Sequence, residues 1–340
     1  MKHHLLLILC LIFVLPSMVH GNVFPQEKNL ITENIPKFPK DGIQEIALIT
    51  MVKNEEDIIF ENLAWHYAIG FRKFIILDNN STDNTLRLIE NFKQMTQGTA
   101  TVYIIKDPIV AHIQNRKMSA AYQFVSNIWH DEVKWIFPVD ADEFWVPKKD
   151  LPSYLKSLPK ETPQFFVASY KYHHTADYYK KSKGKMPFYK KISHRDKLVR
   201  SSKVFVRANI QGLSIGPGNH CAYSGQSKFP CPLLNKLGKF HPYSHENDLY
   251  MVEFYMRSPK QAHQKLYLGG ISNKKAIDSK KLYGACGKHK TSYLKFHERH
   301  GEAAGKMKFD EELVESGAKN IWHDPLPMDQ ALAFLEKNAS

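Results

Sequence analysis

The chain has 340 residues, 43% of them hydrophobic and 24% charged, which is the composition of a globular protein with room for two domains or subdomains. Its formal charge of +13 favours anionic partners such as nucleotides, phosphorylated lipids or a membrane surface, and equally describes a solvated basic face. Four cysteines without a Cys-x-x-Cys pair leave structural zinc unsupported.

Residues 1–21 read as a targeting segment. Lys2 supplies the positive start, residues 5–15 are almost unbroken apolar, and Val19-His20-Gly21 places small or medium residues where a signal peptidase reads. The apolar run is short for a membrane span, so a cleaved signal peptide is expected in preference to a retained anchor. Either directs the chain into a secretory or export route: lumenal, extracellular, periplasmic or membrane-anchored. Cys10 lies in this segment. In an oxidising compartment Cys221 and Cys231 would close a short disulfide and leave Cys286 free, or all three remain thiols.

Residues 22–44 hold Pro25, Pro36, Pro39 and Gly42 among polar residues, an irregular leader. A regular alternation follows. Residues 46–52 form a buried-strand run. Asn54 is placed to cap a helix reaching Tyr67, with Glu55, Glu56 and Asp57 in its first turn and Gly70 after its end. A second strand covers 73–77. Thr82 or Asp83 then caps a helix carrying Leu86, Leu88, Ile89 and Phe92. Residues 101–105 are a third strand, 114–129 a third helix and 134–139 a fourth strand. This alternation predicts an α/β protein with a parallel sheet and right-handed crossovers. A strand order of 3-2-1-4 would bring Val52-Lys53-Asn54 and Asp140-Ala141-Asp142 to one crevice at a topological switch point.

After Pro147 the texture changes. Residues 165–168 and 203–206 read as strands between basic linkers, and 212–225 is rich in Gly and Pro turns. Residues 248–257, 260–268, 293–300 and 329–337 read as helices. No sharp linker appears, so the second half is expected to be fused onto the first sheet.

The stretch that carries chemistry is WIFPVDADEFW, residues 135–145. A bulky apolar strand stops in Asp140, Asp142 and Glu143. Carboxylates crowded at the lip of a buried strand repel one another, and a hard divalent cation such as Mg²⁺ or Mn²⁺ would relieve them. Residues two apart on a strand share a face, so Asp140 and Asp142 are expected to reach one ion. Asp78, ending the second strand before a polar turn, is placed to accept from a ribose hydroxyl or a base N–H. Backbone groups of the loop Val52 to Glu55, Asn54 among them, are placed to pair with a base edge, with Glu55 or Glu56 to hold it. Turn and capping chemistry is the competing account of both loops.

These motifs, VKNEEDIIFENLAWHYAIGFRKFIILDNNSTDNT followed by WIFPVDADEFW, resemble a family 2-type glycosyltransferase of the GT-A fold. The closest resemblance is to the branch once called domain of unknown function 23, or family 92-like, and its bacterial relatives. It covers residues 45–150 well and continues loosely to about 270. It implies a GT-A (Rossmann-like) mixed, mainly parallel sheet flanked by helices, with a fused C-terminal α+β portion. The implied divisions are a nucleotide-sugar-binding half at 45–150, an acceptor-side half at 151–270 and a C-terminal helical extension at 271–340. The implied activity is metal-assisted transfer from a nucleotide-diphosphate sugar to a hydroxyl of a glycan, glycolipid or glycoprotein, with inversion. Asp140 and Asp142 would hold the metal. Asp78 and Val52 to Glu55 would hold the nucleoside. Gln114 and Arg116 resemble the polar residues that open the third helix and face the nucleotide, and Arg116 suits a diphosphate. A further metal ligand in such enzymes lies beyond the acid pair, and His220, after Gly216-Pro217-Gly218-Asn219, is the candidate, with His241 behind it. The general base lacks a clean motif; Glu246 and Asp177 are the candidates, with Glu143 a rival. A non-catalytic binding protein that kept the fold and a glycosidase are the alternative readings. The basic stretch at 170–191 is expected to face a lipid or an anionic acceptor, with no nucleic acid partner.

Overall fold

The computed structural model describes residues 31–109, 113–175, 186–196, 201–223, 248–278, 288–318 and 321–339. The expected targeting segment, Asp177, Cys231, His241, Glu246 and Cys286 lie outside the described residues.

The N-terminal half is built on four parallel strands: β1 (Ile46–Val52), β2 (Lys73–Asp78), β3 (Thr101–Lys106) and β4 (Trp135–Asp140). Their order is β3-β2-β1-β4, with Val52 beside Asp78 and Met51 beside Asp140. The expected switch point therefore lies between β1 and β4. The central strands are almost wholly apolar because helices cover both faces. Ile46 and Leu48 enter one core with α1 (Ile59–Ala68) and α2 (Thr85–Met95), while Ala47 and Ile49 enter another with α3 (Gln114–Ile128).

Beyond β4 the pairing becomes mostly antiparallel. The later strands are β5 (Glu143–Pro147), β6 (Gln164–His173), β7 (His194–Asp196), β8 (Ser201–Arg207), β9 (Ser214–Ile215), β10 (Ala222–Tyr223), β11 (Leu249–Glu253) and β12 (Ile321–His323). The sheet continues β4-β8-β6-β7-β12, and β11 lies between β5 and β6, antiparallel to β5 and parallel to β6. The result is the expected mixed sheet flanked by helices, one half fused to the other through β4 and β8. Short helices α4 (Leu151–Ser157) and α5 (Phe188–Lys191) fill the connections. Three C-terminal helices follow: α6 (Pro259–Asp278), α7 (Lys288–His300) and α8 (Ala303–Ala318). They share a small core of their own around Met256, Leu266, Tyr293 and Phe309. The last helix, α9 (Met328–Asn338), returns to α1, where the Tyr67 hydroxyl donates to the Asn338 carbonyl at 2.8 Å.

Three local expectations change. Asn54 does not cap α1, which starts five residues later; it takes a left-handed φ of 54° in the preceding loop. Residues 248–257 are not a helix. Leu249 to Val252 are buried between β5 and β6, and a segment hydrogen-bonded to strands on both sides is held extended. Asp142 is not on a strand, because β4 stops at Asp140 and residues 141–142 turn into β5.

Candidate active site

A cleft of about 400 Å³ opens at the carboxyl ends of β1 and β4. Its floor is the Met51–Glu55 loop, Asn79 and the Asp140–Asp142 turn. Pro217, Gly218 and His220 form one rim. Lys265 of α6 and Lys290 of α7 form the opposite wall.

The acids of the floor are each held by named partners. One oxygen of Asp140 accepts from Gln114 Nε2 at 2.7 Å and from Asn219 Nδ2 at 3.1 Å, and the other faces Lys203 Nζ at 3.4 Å. Glu143, 1% exposed, forms an ion pair with Lys203 and accepts the Asp140 backbone N–H at 3.0 Å. Lys203 also donates to the Gly218 carbonyl at 2.6 Å, which ties the rim to the floor. Asp142 forms an ion pair with Lys265, whose ammonium lies over the Tyr255 ring at 4.3 Å. Glu55 is bonded by Arg257 Nη2 at 2.5 Å, and the same guanidinium clamps Asp57 through two bonds of 2.8–2.9 Å.

These contacts set the charge states. Burial would lower the Lys203 ammonium, but Glu143 and Asp140 outweigh it and hold it above its usual range. Lys265 behaves likewise, with Asp142 and Glu55 as its partners. Burial would raise Asp140, yet Lys203 and Lys265 keep it below the ordinary carboxylate value. Burial and Asp140 push Glu143 well up, and burial and Asp142 push up Glu253. Burial lifts Glu55 to about 7 against the pull of Arg257. Burial thus favours the neutral form of Glu143, Glu253 and Glu55, while Asp140 stays ionised beside its lysines.

Does this set of side chains suit a divalent cation? Asp140 and Asp142 offer hard oxygens of the kind such an ion takes. Asn219 is fully buried, and its Oδ1 has no hydrogen-bond partner among the described residues although its Nδ2 holds Asp140. An orphaned hard oxygen beside a carboxylate fits a cation site. Among the described residues no three His, Cys, Asp or Glu side chains converge on such a point, so the donor chemistry fits while the arrangement is that of lysine-paired acids.

The other sequence candidates fall as follows. Val52 lines the cleft and accepts the Asn79 N–H through its carbonyl. Asn54 and Glu55 also line it, but their backbone N–H groups go to Ser81 and Thr85 hydroxyls, which lock the loop to the start of α2. Asp78 is buried and accepts the Ser81 N–H at 3.2 Å, the work of a turn; its neighbour Asn79 lines the cleft instead. Gln114 lines the cleft. Arg116, two residues on, is exposed on α3 and lines no part of it. His220 is exposed at the rim. Phe144 and Trp145 pack in the core. Cys221 is disulfide-bonded.

Sequence reasoning missed Lys203, Glu253, Arg257, Lys265 and Lys290. Glu253 ends a strand that had the look of a helix. The lysines stand singly on separate elements and make no motif. The one available signal was the basic excess of the second half set against the acid of residues 140–143.

With this geometry in hand, comparison with known proteins gives a class. Residues 47–212 match the family model of glycosyltransferase family 92. The match takes in the β1 to β4 floor and supports a glycosyltransferase, as the resemblance of the motifs implied. A search of curated proteins finds no match. Among solved structures, the mannosyltransferase PcManGT from Pyrobaculum calidifontis, in complex with GDP-Man and Mn²⁺, is 13% identical with a TM-score of 0.35, over 88% of this chain and 81% of that one. TarS of S. aureus is 12% identical with a TM-score of 0.28, and the chain spans 22% of its length. The 1–349 portion of TarS in complex with UDP is also 12% identical with a TM-score of 0.28, over 67% of this chain and 65% of that one. Structural likenesses this distant carry no weight for function.

Proposed function

We propose that the cleft binds a nucleotide-diphosphate sugar and transfers its sugar, with inversion, to a hydroxyl of a glycan, glycolipid or glycoprotein. The observation that supports this most is the Asp140–Asp142 acid pair at the switch point between β1 and β4, inside the family-matched segment and facing a basic wall. Asp140 and Asp142 would hold Mn²⁺ or Mg²⁺, with Asn219 and His220 as nearby donors, and the ion would stabilise charge on the diphosphate leaving group.

The chain's own residues do the rest. Gln114 and Asn219 fix the Asp140 carboxylate, so its orientation does not depend on the ligand. The Val52–Glu55 loop, Asn79 and Gln114 border the space for the nucleoside; Asp78 holds the turn whose Ser81 hydroxyl accepts the Asn54 N–H of that loop. In the transfer step the bond from the anomeric carbon to the diphosphate oxygen breaks, and the acceptor oxygen bonds to that carbon. The acceptor proton needs a base. Glu253 lines the cleft, and its raised affinity for protons brings it nearer the operating pH than an ordinary Glu. Glu246 and Asp177 remain the candidates from the sequence. Arg116 has no part in this reading.

The apolar N-terminal run and the disulfide at Cys221 support a secretory route. Among the described residues no helix is long and apolar enough to cross a membrane.

The test is turnover of a panel of nucleotide sugars by the wild type, Asp142→Asn and Glu253→Gln. Release of nucleoside diphosphate that is lost in Asp142→Asn, and that in Glu253→Gln falls in kcat with little change in KM, is the expected result. No release from any nucleotide sugar would sink the proposal.

A further inference from the structure

We infer that Lys290 of α7, with Lys265 of α6 beside it, forms the phosphate-binding wall of the cleft. The inference rests on the nucleotide-sugar reading and names the side of the site that meets the diphosphate. Both residues lie outside the family-matched segment, so neither follows from that match.

Lys290 is the more telling of the two. It is half-buried in the cleft, and among the described residues its ammonium has no ion-pair or hydrogen-bond partner. Burial and the neighbouring Lys265 disfavour its charge, while Asp140, Asp142 and Glu55 favour it. An ammonium so placed gains when an anion enters. It also stands in the first turn of α7, where the helix dipole opposes a cation and attracts an anion. A lysine kept there only for stability would sit better at the other end of the helix.

The seat of Lys290 is built rather than incidental. At Gly270 a Cβ would come within 2.5 Å of the Lys290 carbonyl oxygen and 2.8 Å of Leu294 Cγ. At Gly269 it would come within 2.7 Å of Lys290 Cδ. The paired glycines let α7 lie directly on α6, and that close crossing carries the ammonium to the cleft. Lys265 reaches the same space from α6 and pairs with Asp142. Two ammonium groups on one wall offer point charges to the oxygens of a diphosphate, while the floor presents acid on the other side.

The experiment is calorimetric titration of the full chain with UDP and GDP, with inorganic pyrophosphate, and with uridine and guanosine. Lys290→Gln should weaken binding of the preferred nucleoside diphosphate about tenfold to a hundredfold, the usual range for losing a charged partner, and leave nucleoside binding unchanged. Lys290→Arg should restore most of the loss. Gly270→Ala should weaken the diphosphate in the same sense by moving α7. Wild-type affinity in a folded Lys290→Gln would overturn the inference, as would equal loss for nucleoside and nucleoside diphosphate. If the wild type binds pyrophosphate but no nucleoside diphosphate, and Lys290→Gln loses the pyrophosphate, the phosphate wall stands and the nucleotide-sugar reading falls. If the wild type binds neither, both fall.

Discussion

The floor and the wall of the cleft are made in different ways. The floor is cut from strand ends: Asp140, Asp142 and Glu143 fall within four consecutive positions where β4 stops, on a sheet covered by helices on both faces. The wall is assembled from separate elements, with Lys265 and Lys290 on helices that pack around their own small core. Lys203, on β8, ties floor to rim. Arg257 joins the two sides, since it precedes α6 and grips Glu55 of the floor together with Asp57 two residues on. The sheet fixes where the acid is, and helix packing fixes where the compensating charge is. Each side should therefore fail for its own reason.

The largest expected failure is of the core beneath the floor, in acid. His66 lies fully buried under β5: its Nδ1–H donates to the Asn62 carbonyl at 2.7 Å, and its Nε2 accepts the Trp145 N–H at 3.3 Å. That pattern requires the neutral ring, and burial lowers its proton affinity to about 3. The unfolded chain, with a His near its ordinary value, binds more protons between about pH 3 and 6.5. The contribution is therefore present above pH 6.5 and lost as pH falls toward 3, on the order of 5 kcal/mol in full. His174, lowered to about 4 by burial and donating to the Arg257 carbonyl, adds the same sign over a narrower window. Denaturant unfolding at pH 7, 5.5 and 4 should show a steep fall, with a shallower slope in His66→Gln.

The joint comes next. Arg257→Gln leaves the Glu55 carboxyl buried without its cation, and removing one partner of a buried pair costs about 3 kcal/mol. The midpoint of a urea transition should drop without a change in slope. Packing of the wall follows. Gly270→Ala sets a Cβ 2.5 Å from the Lys290 carbonyl oxygen, an overpacking worth about 1–3 kcal/mol. A thermal melt should register it, and the acid dependence set by His66 should stay the same. The smallest effect belongs to the outer face of α8. The Lys306–Asp310 pair is largely exposed with the cation on the N-terminal side, and breaking it with Lys306→Gln should change stability by less than about 0.5 kcal/mol.

The same contrast explains what could be read from the chain. β1 to β4, their order and the acid at the end of β4 were legible because each announces itself locally, as an apolar run ending in polar or acidic residues. Asp78 was legible as a position; its partner, the Ser81 N–H, lies three residues away, and only the folded turn shows that contact. Glu253 was hidden because Leu249 to Val252 is a short apolar run without alternation, and only pairing to β5 and β6 makes it a strand. Lys265 and Lys290 were illegible because their meaning lies in a helix crossing. The Gly269-Gly270 pair looks like a helix weakness in sequence, and it becomes a contact surface once α7 lies on it.

The most direct test of the account is titration of the intact chain with nucleoside diphosphates in the presence of Mn²⁺, alone and after chelation, for the wild type and Asp142→Asn. The account predicts saturable binding of one nucleoside diphosphate, weakened by chelation and lost in a folded Asp142→Asn. Absence of binding by every nucleoside diphosphate, or binding that Asp142→Asn leaves intact, would contradict it.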